Sequence, residues 1–198
     1  MSVAGTALAS VDKEEAVAEE PWRRGRGGTS VGRAVHAVLQ TVDLATGAGL
    51  EDIAKAQATA EGVSHQLEDV IRLARNALDS DIVRRAVASG RFWREASVAA
   101  PVGNGVVEGF VDLLFEEGGE LIVVDYKTDS LAQDEAEGAS QRYRLQGGSY
   151  ALAVQRATGM TVRGVVFLFL RPRRAESLTD IADLIRDTEA AAVSYLQT

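Results

Sequence analysis

The chain has 198 residues, a net charge of −8, 46% apolar residues and 25% charged ones: enough sequence for one domain with its own core, in an ordinary globular balance. The acidic excess argues against a chain that acts alone as a tight, non-specific clamp on nucleic acid, which needs a basic surface. The absence of cysteine excludes disulfides, thiolate zinc sites and Cys-ligated iron–sulfur clusters, and with only His36 and His65 as imidazoles a bound metal must lean on carboxylates, as Mg²⁺ and Mn²⁺ do.

Residues 1–29 read as a flexible tail and linker. The first twenty are rich in Ala, Glu and Ser, and PWRRGRGGTS (residues 21–30) is broken by Pro and Gly; Trp22 is expected to be a hydrophobic anchor. No basic start followed by an apolar core is present, and no run of about 18 apolar residues occurs, so neither a secretory signal nor a membrane span is expected and a cytoplasmic location follows. Ser30 is the expected N-cap of a helix from Val31 to about Leu44, with Val31, Val35, Val38, Leu39 and Val42 as its stripe and His36 beside it. Helical spacing recurs over Leu50–Glu61, Ser64–Leu78 and Ser80–Ser89, punctuated by Gly62 and Gly90. Phe92–Val102 reads as a strand in which Glu95 is either an edge charge or a helper near a metal.

Two apolar runs follow, Val106–Glu117 and Glu120–Thr128, joined through Gly118-Gly119. A Gly-Gly loop favours a tight primed turn. Glu117 then faces Glu120, Asp112 falls opposite Asp125, and Phe110 opposite Lys127. Opposed residues share a face, as do Asp125 and Lys127 two apart, so two carboxylates and an ammonium are expected to converge on one patch. Such a cluster is either a solvated ion pair or a seat for a cation that relieves the like-charge repulsion. Removing Asp125 should therefore leave the metal-free melting temperature unchanged or higher. Beyond the hairpin, Asp129–Ser140 reads as an acidic loop and Ala139–Thr158 as a long helix presenting Tyr143, Gln146 and Tyr150 on one face. Gly164–Leu170 is a continuous apolar run, the mark of a strand buried on both faces, and Leu178–Leu196 a final amphipathic helix with Ile181, Leu184 and Ile185 inward. A strand, a helix and a strand in succession imply a crossover to a parallel neighbour, hence an α/β fold: a mixed central sheet flanked by helices, with an N-terminal helical section.

GRAVH (Gly32–His36), GFVD (Gly109–Asp112), DYK (Asp125–Lys127) and QGGSY (Gln146–Tyr150) occur in this order. Together they resemble the motifs of RecB-type nucleases in the PD-(D/E)XK superfamily, in particular the C-terminal nuclease domain of AddA-type helicase–nuclease subunits, from about residue 30 to residue 172. The resemblance implies a restriction-endonuclease-like core over residues 30–198. It implies His36, Asp112, Asp125 and the main-chain carbonyl of Tyr126 as ligands of Mg²⁺ or Mn²⁺, Lys127 as the group acting on the phosphate and the attacking water, and Gln146 and Tyr150 as supports; Glu95 stands where relatives carry an "RE" strand motif. It further implies DNA, single-stranded above all, as substrate, and an exonuclease action in double-strand-break repair and recombination. The partner it implies is a helicase domain or subunit, since no Walker-type motif is present in this chain. The rival reading is a nuclease-like module of a helicase complex that binds DNA or protein without cutting.

Overall fold

The computed structural model describes residues 29–102, 105–128 and 136–195; the expected N-terminal tail and Trp22 lie outside them. Helix α1 spans Ser30–Thr41. Its cap is Thr29 rather than Ser30: Thr29 Oγ1 accepts the Gly32 N–H at 3.1 Å, the reach of a cap three residues on. It stops short of the expected Leu44 because the Asp43 carboxylate accepts the Ala45 and Thr46 N–H groups and folds those residues into a turn. Helices α2 (Leu50–Ala60), α3 (Leu67–Leu78, entered through a 3-10 turn at Ser64–Gln66) and α4 (Asp81–Ser89) follow. Ser80 caps α4 through the Val83 N–H, and Gly90 closes it in the left-handed conformation, φ +66°.

Strands β1 (Phe92–Val102), β2 (Gly105–Glu117) and β3 (Glu120–Lys127), helix α5 (Ala136–Thr158), strands β4 (Val162–Phe169) and β5 (Arg174–Leu178) and helix α6 (Ile181–Tyr195) complete the described chain. The sheet runs β1-β2-β3-β4-β5. Only β3 and β4 are parallel, because α5 carries the chain back across the sheet between them. Strand β5 is a correction to the sequence reading, which started the last helix at Leu178. RAESL has no apolar alternation to announce a strand; it is an edge strand, polar where it meets water, and Leu178 pairs with Val165. Helices α1 to α4 cover one face through a core that includes Leu113, Phe115, Val124 and Tyr126 of the sheet. Helices α5 and α6 cover the other, against Leu114, Val123, Val165 and Phe167. Among the described residues no helix is long and apolar enough to cross a membrane.

Gly118 and Gly119 both have positive φ, +65° and +84°, the primed turn that glycine adopts at no steric cost at two successive positions. Pairing follows the expected register from Glu117–Glu120 to Leu113–Val124 and ends there, one step before Asp112 and Asp125 would meet. Beyond that point β2 stays with β1 alone. The side-chain alternation also inverts here. In β1, Phe92 packs with the α1–α4 face whereas Ala96 and Val98, of the same parity, pack with the α5–α6 face; in β2, Leu113 and Val111 divide in the same way. The inversion falls on Glu95, whose backbone is left-handed at φ +48°, and on Asp112, while the pairs on either side keep one register. An extended strand cannot change faces without such a break in its pleat.

Beside the turn, Glu117 accepts two hydrogen bonds from Arg85, at 3.0 and 2.8 Å, and also meets Arg163. The Arg85 hydrogen bonds, aided by Arg163 and against the cost of burial, pull the Glu117 carboxyl from 4.5 to about 2. Its folded value lies below the unfolded one, so the stabilisation is complete above the unfolded value and is lost as pH falls through the folded one. Glu117→Gln should lower the melting temperature at pH 7, by the equivalent of about 1 kcal/mol or less because the pair is partly exposed. Thermal melts across the acid range should show the gap to the parent closing between about pH 4.5 and 2; a gap constant with pH would refute the ionic account.

Candidate active site

On the α1 side of the sheet, His36 reaches down from the second turn of α1 to β2. Its Nδ1 lies 2.9 Å from Asp112 Oδ1, and its ring meets that of Tyr126 edge-on at 6.0 Å. Asp112 Oδ2 accepts the Tyr126 N–H at 2.7 Å, so the carboxylate fills the gap where β2 has parted from β3 and satisfies an amide that the ladder no longer reaches. Glu95, next to Asp112 across the sheet, completes the group: one ligand atom from each of His36, Glu95 and Asp112 lies within 4.8 Å of the others. Burial of the imidazole opposes its charge, but the Asp112 carboxylate, through its charge and its hydrogen bond, with Asp125 and Glu95 adding to it, outweighs that cost and raises His36 from 6.5 to about 9. At neutral pH the ring is thus an imidazolium that donates to Asp112.

The second group is built from the α5 side. Asp125 and Lys127 point from β3 toward α5, and both are buried. Lys127 Nζ stands 2.7 Å from Asp125 Oδ2 and donates to Gln146 Oε1 at 2.9 Å. It also faces the rings of Tyr143 and Phe167 at 5.4 and 5.3 Å. The Tyr150 hydroxyl donates to Asp125 Oδ1 at 3.0 Å, and Gln146 Nε2 bridges the two, 3.0 Å from the Tyr150 hydroxyl and 3.3 Å from Asp125 Oδ1. Burial, with the charge of Asp125 next, holds the Tyr150 hydroxyl well above its ordinary value, so it keeps the proton it donates. Burial also pushes the Asp125 carboxyl up; Lys127 opposes that and Asp112 reinforces it, which places the two carboxylates within reach of each other's charge.

The expected single patch is therefore two adjoining groups: Asp112 is engaged from α1 and Asp125 from α5. Asp125 Oδ2 is buried, and the Lys127 ammonium at 2.7 Å is the charge it meets there. The imidazole and the two carboxylates of His36, Glu95 and Asp112 are a donor set that suits a hard divalent cation, and Asp125, outside that set, acts on it through its charge from the adjoining group.

Several supports were not read from the sequence. Arg94 Nη1 donates to the Val42 carbonyl at 2.7 Å and to the Leu39 carbonyl at 3.4 Å, which pins the end of α1 to β1 and so fixes where His36 lies. The glycines of QGGSY let α5 approach both neighbours. A Cβ at Gly147 would stand 3.0 Å from Leu178 Cδ1, and one at Gly148 would stand 2.5 Å from the backbone carbonyl oxygen of Leu184 in α6. The small residues of GRAVH have a similar reason at Gly32, where a Cβ would meet Thr128 Oγ1 at 2.8 Å, just past Lys127.

The family model described as the PD-(D/E)XK nuclease superfamily matches residues 12–196. Curated relatives include an ATP-dependent helicase/nuclease subunit of Clostridium novyi (strain NT), 24% identical over 171 residues, covering 75% of this chain and 14% of that protein. Its counterpart in Desulforudis audaxviator (strain MP104C), of the same name, is 28% identical over 184 residues, covering 75% of this chain and 15% of that one. The chain thus spans about a seventh of the length of the curated relatives it matches. Among solved structures, a protein of Eubacterium rectale that carries a provisional exonuclease name superposes with a TM-score of 0.52 at 13% identity, over 88% of this chain and 69% of that one, a likeness of fold alone. With the mixed sheet, its parallel β3–β4 pair and the carboxylate–lysine strand at its centre already in place, the match over nearly the whole sequence is decisive: this chain belongs to the PD-(D/E)XK nuclease superfamily.

Proposed function

We propose that residues 30–198 form one nuclease domain, a Mg²⁺- or Mn²⁺-dependent deoxyribonuclease that hydrolyses phosphodiester bonds. In this reading it acts as an exonuclease on single strands delivered by a helicase domain or subunit, in cytoplasmic double-strand-break repair and recombination. The observation that carries the reading is the His36–Asp112 contact at 2.9 Å beside the buried Asp125–Lys127 pair. The helicase setting draws on the names of the relatives, helicase/nuclease subunits far longer than this chain.

His36, Asp112, Asp125 and the main-chain carbonyl of Tyr126 would hold the cation, with Glu95 adjoining. When bound, a divalent cation supplies positive charge to the phosphate oxygens and acidifies water. The chain's own residues do the rest. Lys127, held between Asp125 and Gln146 over two aromatic rings, keeps a fixed positive charge where negative charge grows on the phosphate, and its N–H groups can orient the attacking water. Gln146 orients Lys127 and Asp125 together, and Tyr150 fixes the rotamer of Asp125. Because His36 is protonated in the metal-free protein, seating a cation there requires loss of that proton.

End-labelled single-stranded DNA incubated with the full chain should be cut with Mn²⁺ or Mg²⁺ and remain intact with chelator. A strand that is retarded on a gel yet uncut with either metal would support the non-cutting module instead. An RNA strand run in parallel tests the preference for deoxyribose, and strands labelled at either end separate terminal from internal cutting.

A further inference from the structure

Past the inversion at Glu95 and Asp112, β1 and β2 continue as a two-stranded ribbon with one covered face and one open one. Val98, Ala100 and Val111 turn toward α5 and α6 and are buried. The opposite face, on the α1 side, carries the pairs Ser97–Phe110, Ala99–Glu108 and Pro101–Val106, all exposed. Antiparallel ribbons of this kind ordinarily turn polar residues to water. Here only Ser97 and Glu108 do so, while Phe110 is 52% and Val106 62% exposed. Of the large apolar side chains exposed among the described residues, these two share this face.

The row nearest the site is Phe110–Ser97. Phe110 lies two residues from Asp112, about 7 Å along the strand, on the side of the sheet from which His36 engages that carboxylate. An exposed aromatic ring at this place suits a flat, apolar, unpaired ligand. Neighbouring Glu108 repels phosphate but not the face of a base. We propose that Phe110 is a stacking platform for one unpaired nucleobase of the strand whose phosphate enters the site, so that the strand runs with its backbone toward His36 and Asp112 and a base on the ribbon. This rests on the nuclease reading above and extends it: a base in duplex has both faces covered by its neighbours, so the platform selects single strands, and selects them without regard to sequence because every base offers a π-face.

The test is a double-mutant cycle between protein and strand. Fluorescein-labelled single-stranded 12-mers, intact or with one abasic position moved along the strand, are titrated against the full chain by anisotropy with Ca²⁺ in place of Mn²⁺, and strand integrity is checked on a gel. With the parent, one abasic position should weaken binding about tenfold. Phe110→Ala should weaken binding of the intact strand to a similar degree and show no further loss at that same position, whereas Phe110→Trp should keep parental affinity. Phe110 is half exposed, so both variants should retain the parental circular dichroism. Losses that multiply at every position, or unchanged affinity in Phe110→Ala, overturn the platform. A parent that gives the expected cycle yet fails to cut with Mn²⁺ leaves the platform standing and sinks the nuclease; a parent that cuts but shows no abasic effect does the reverse.

Discussion

Asp125→Asn should lower metal-dependent cleavage by about a hundred- to a thousandfold, the usual worth of one preorganised group at the reacting centre, and should also remove the rise in melting temperature that Mn²⁺ gives the parent. Asn can still accept the Tyr150 hydroxyl and lie against Gln146, so the local geometry has a route to survival. Stability is another matter. From sequence alone, deleting one of two opposed carboxylates promises relief. The structure reverses that expectation, because Asp125 is also the charge partner of a buried Lys127. Breaking a buried pair from one side costs about 3–5 kcal/mol, so the metal-free variant should melt below the parent. Asp112→Asn is the companion variant: its cationic partner is His36, whose imidazole can shed its proton more readily than an ammonium group, so the variant should lose cleavage with a smaller fall in melting temperature. Either variant cutting at the parental rate with Mn²⁺ would remove these carboxylates from the reaction.

Gly148→Ala should be the most sterically damaging alanine substitution among the described glycines. The added Cβ would stand 2.1 Å from Thr188 Oγ1 and 2.5 Å from the carbonyl oxygen of Leu184. The threonine can rotate, but the helix backbone cannot yield without moving α6 from α5. Overpacking of this kind costs about 1–3 kcal/mol, and more where backbone must shift, against which the helical preference of Ala over Gly returns about 1 kcal/mol. A net loss of about 2 kcal/mol, read as a lower urea midpoint with unchanged slope, is expected. Gly147→Ala is the control. Its Cβ meets the tip of Leu178 at 3.0 Å, the end of a side chain that can rotate, so it should lose much less. Equal midpoints for the two would refute the account of α5–α6 approach.

What could be read from residues alone was whatever depends on local chemistry. Gly118-Gly119 names its turn because two successive left-handed residues strongly favour glycine. The stripes of α1, α3 and α4 name their faces, and the unbroken apolar run of β4 names a strand covered on both sides. Of the candidate site residues, the hairpin pattern pointed to Asp112, Asp125 and Lys127, whereas His36, Gln146 and Tyr150 came only through the motif resemblance; the structure sets the six in two adjoining groups. Tertiary effects were out of reach. Period-two reasoning assumes an even pleat, so it set Asp112 and Asp125 on one patch and had no means of placing a left-handed Glu95 or the change of faces beside it. Polar β5 has no signal of its own, since its strand character comes from the β4 edge it joins. Nothing local to Arg94 announces its partner, the carbonyl of Val42 at the end of α1.

The break at Glu95 and Asp112 also divides the β1–β2 ladder, in one register throughout, into two lengths with different surroundings. The proximal half is packed by cores on both sides, while among the described residues the buried side chains of the distal half pack against α5 and α6. Residues could be added to or taken from the distal length in matched pairs on both strands without moving either carboxylate, because a shift of two preserves which way each side chain points. The reach of this ribbon can therefore be changed while the carboxylates at its root stay put.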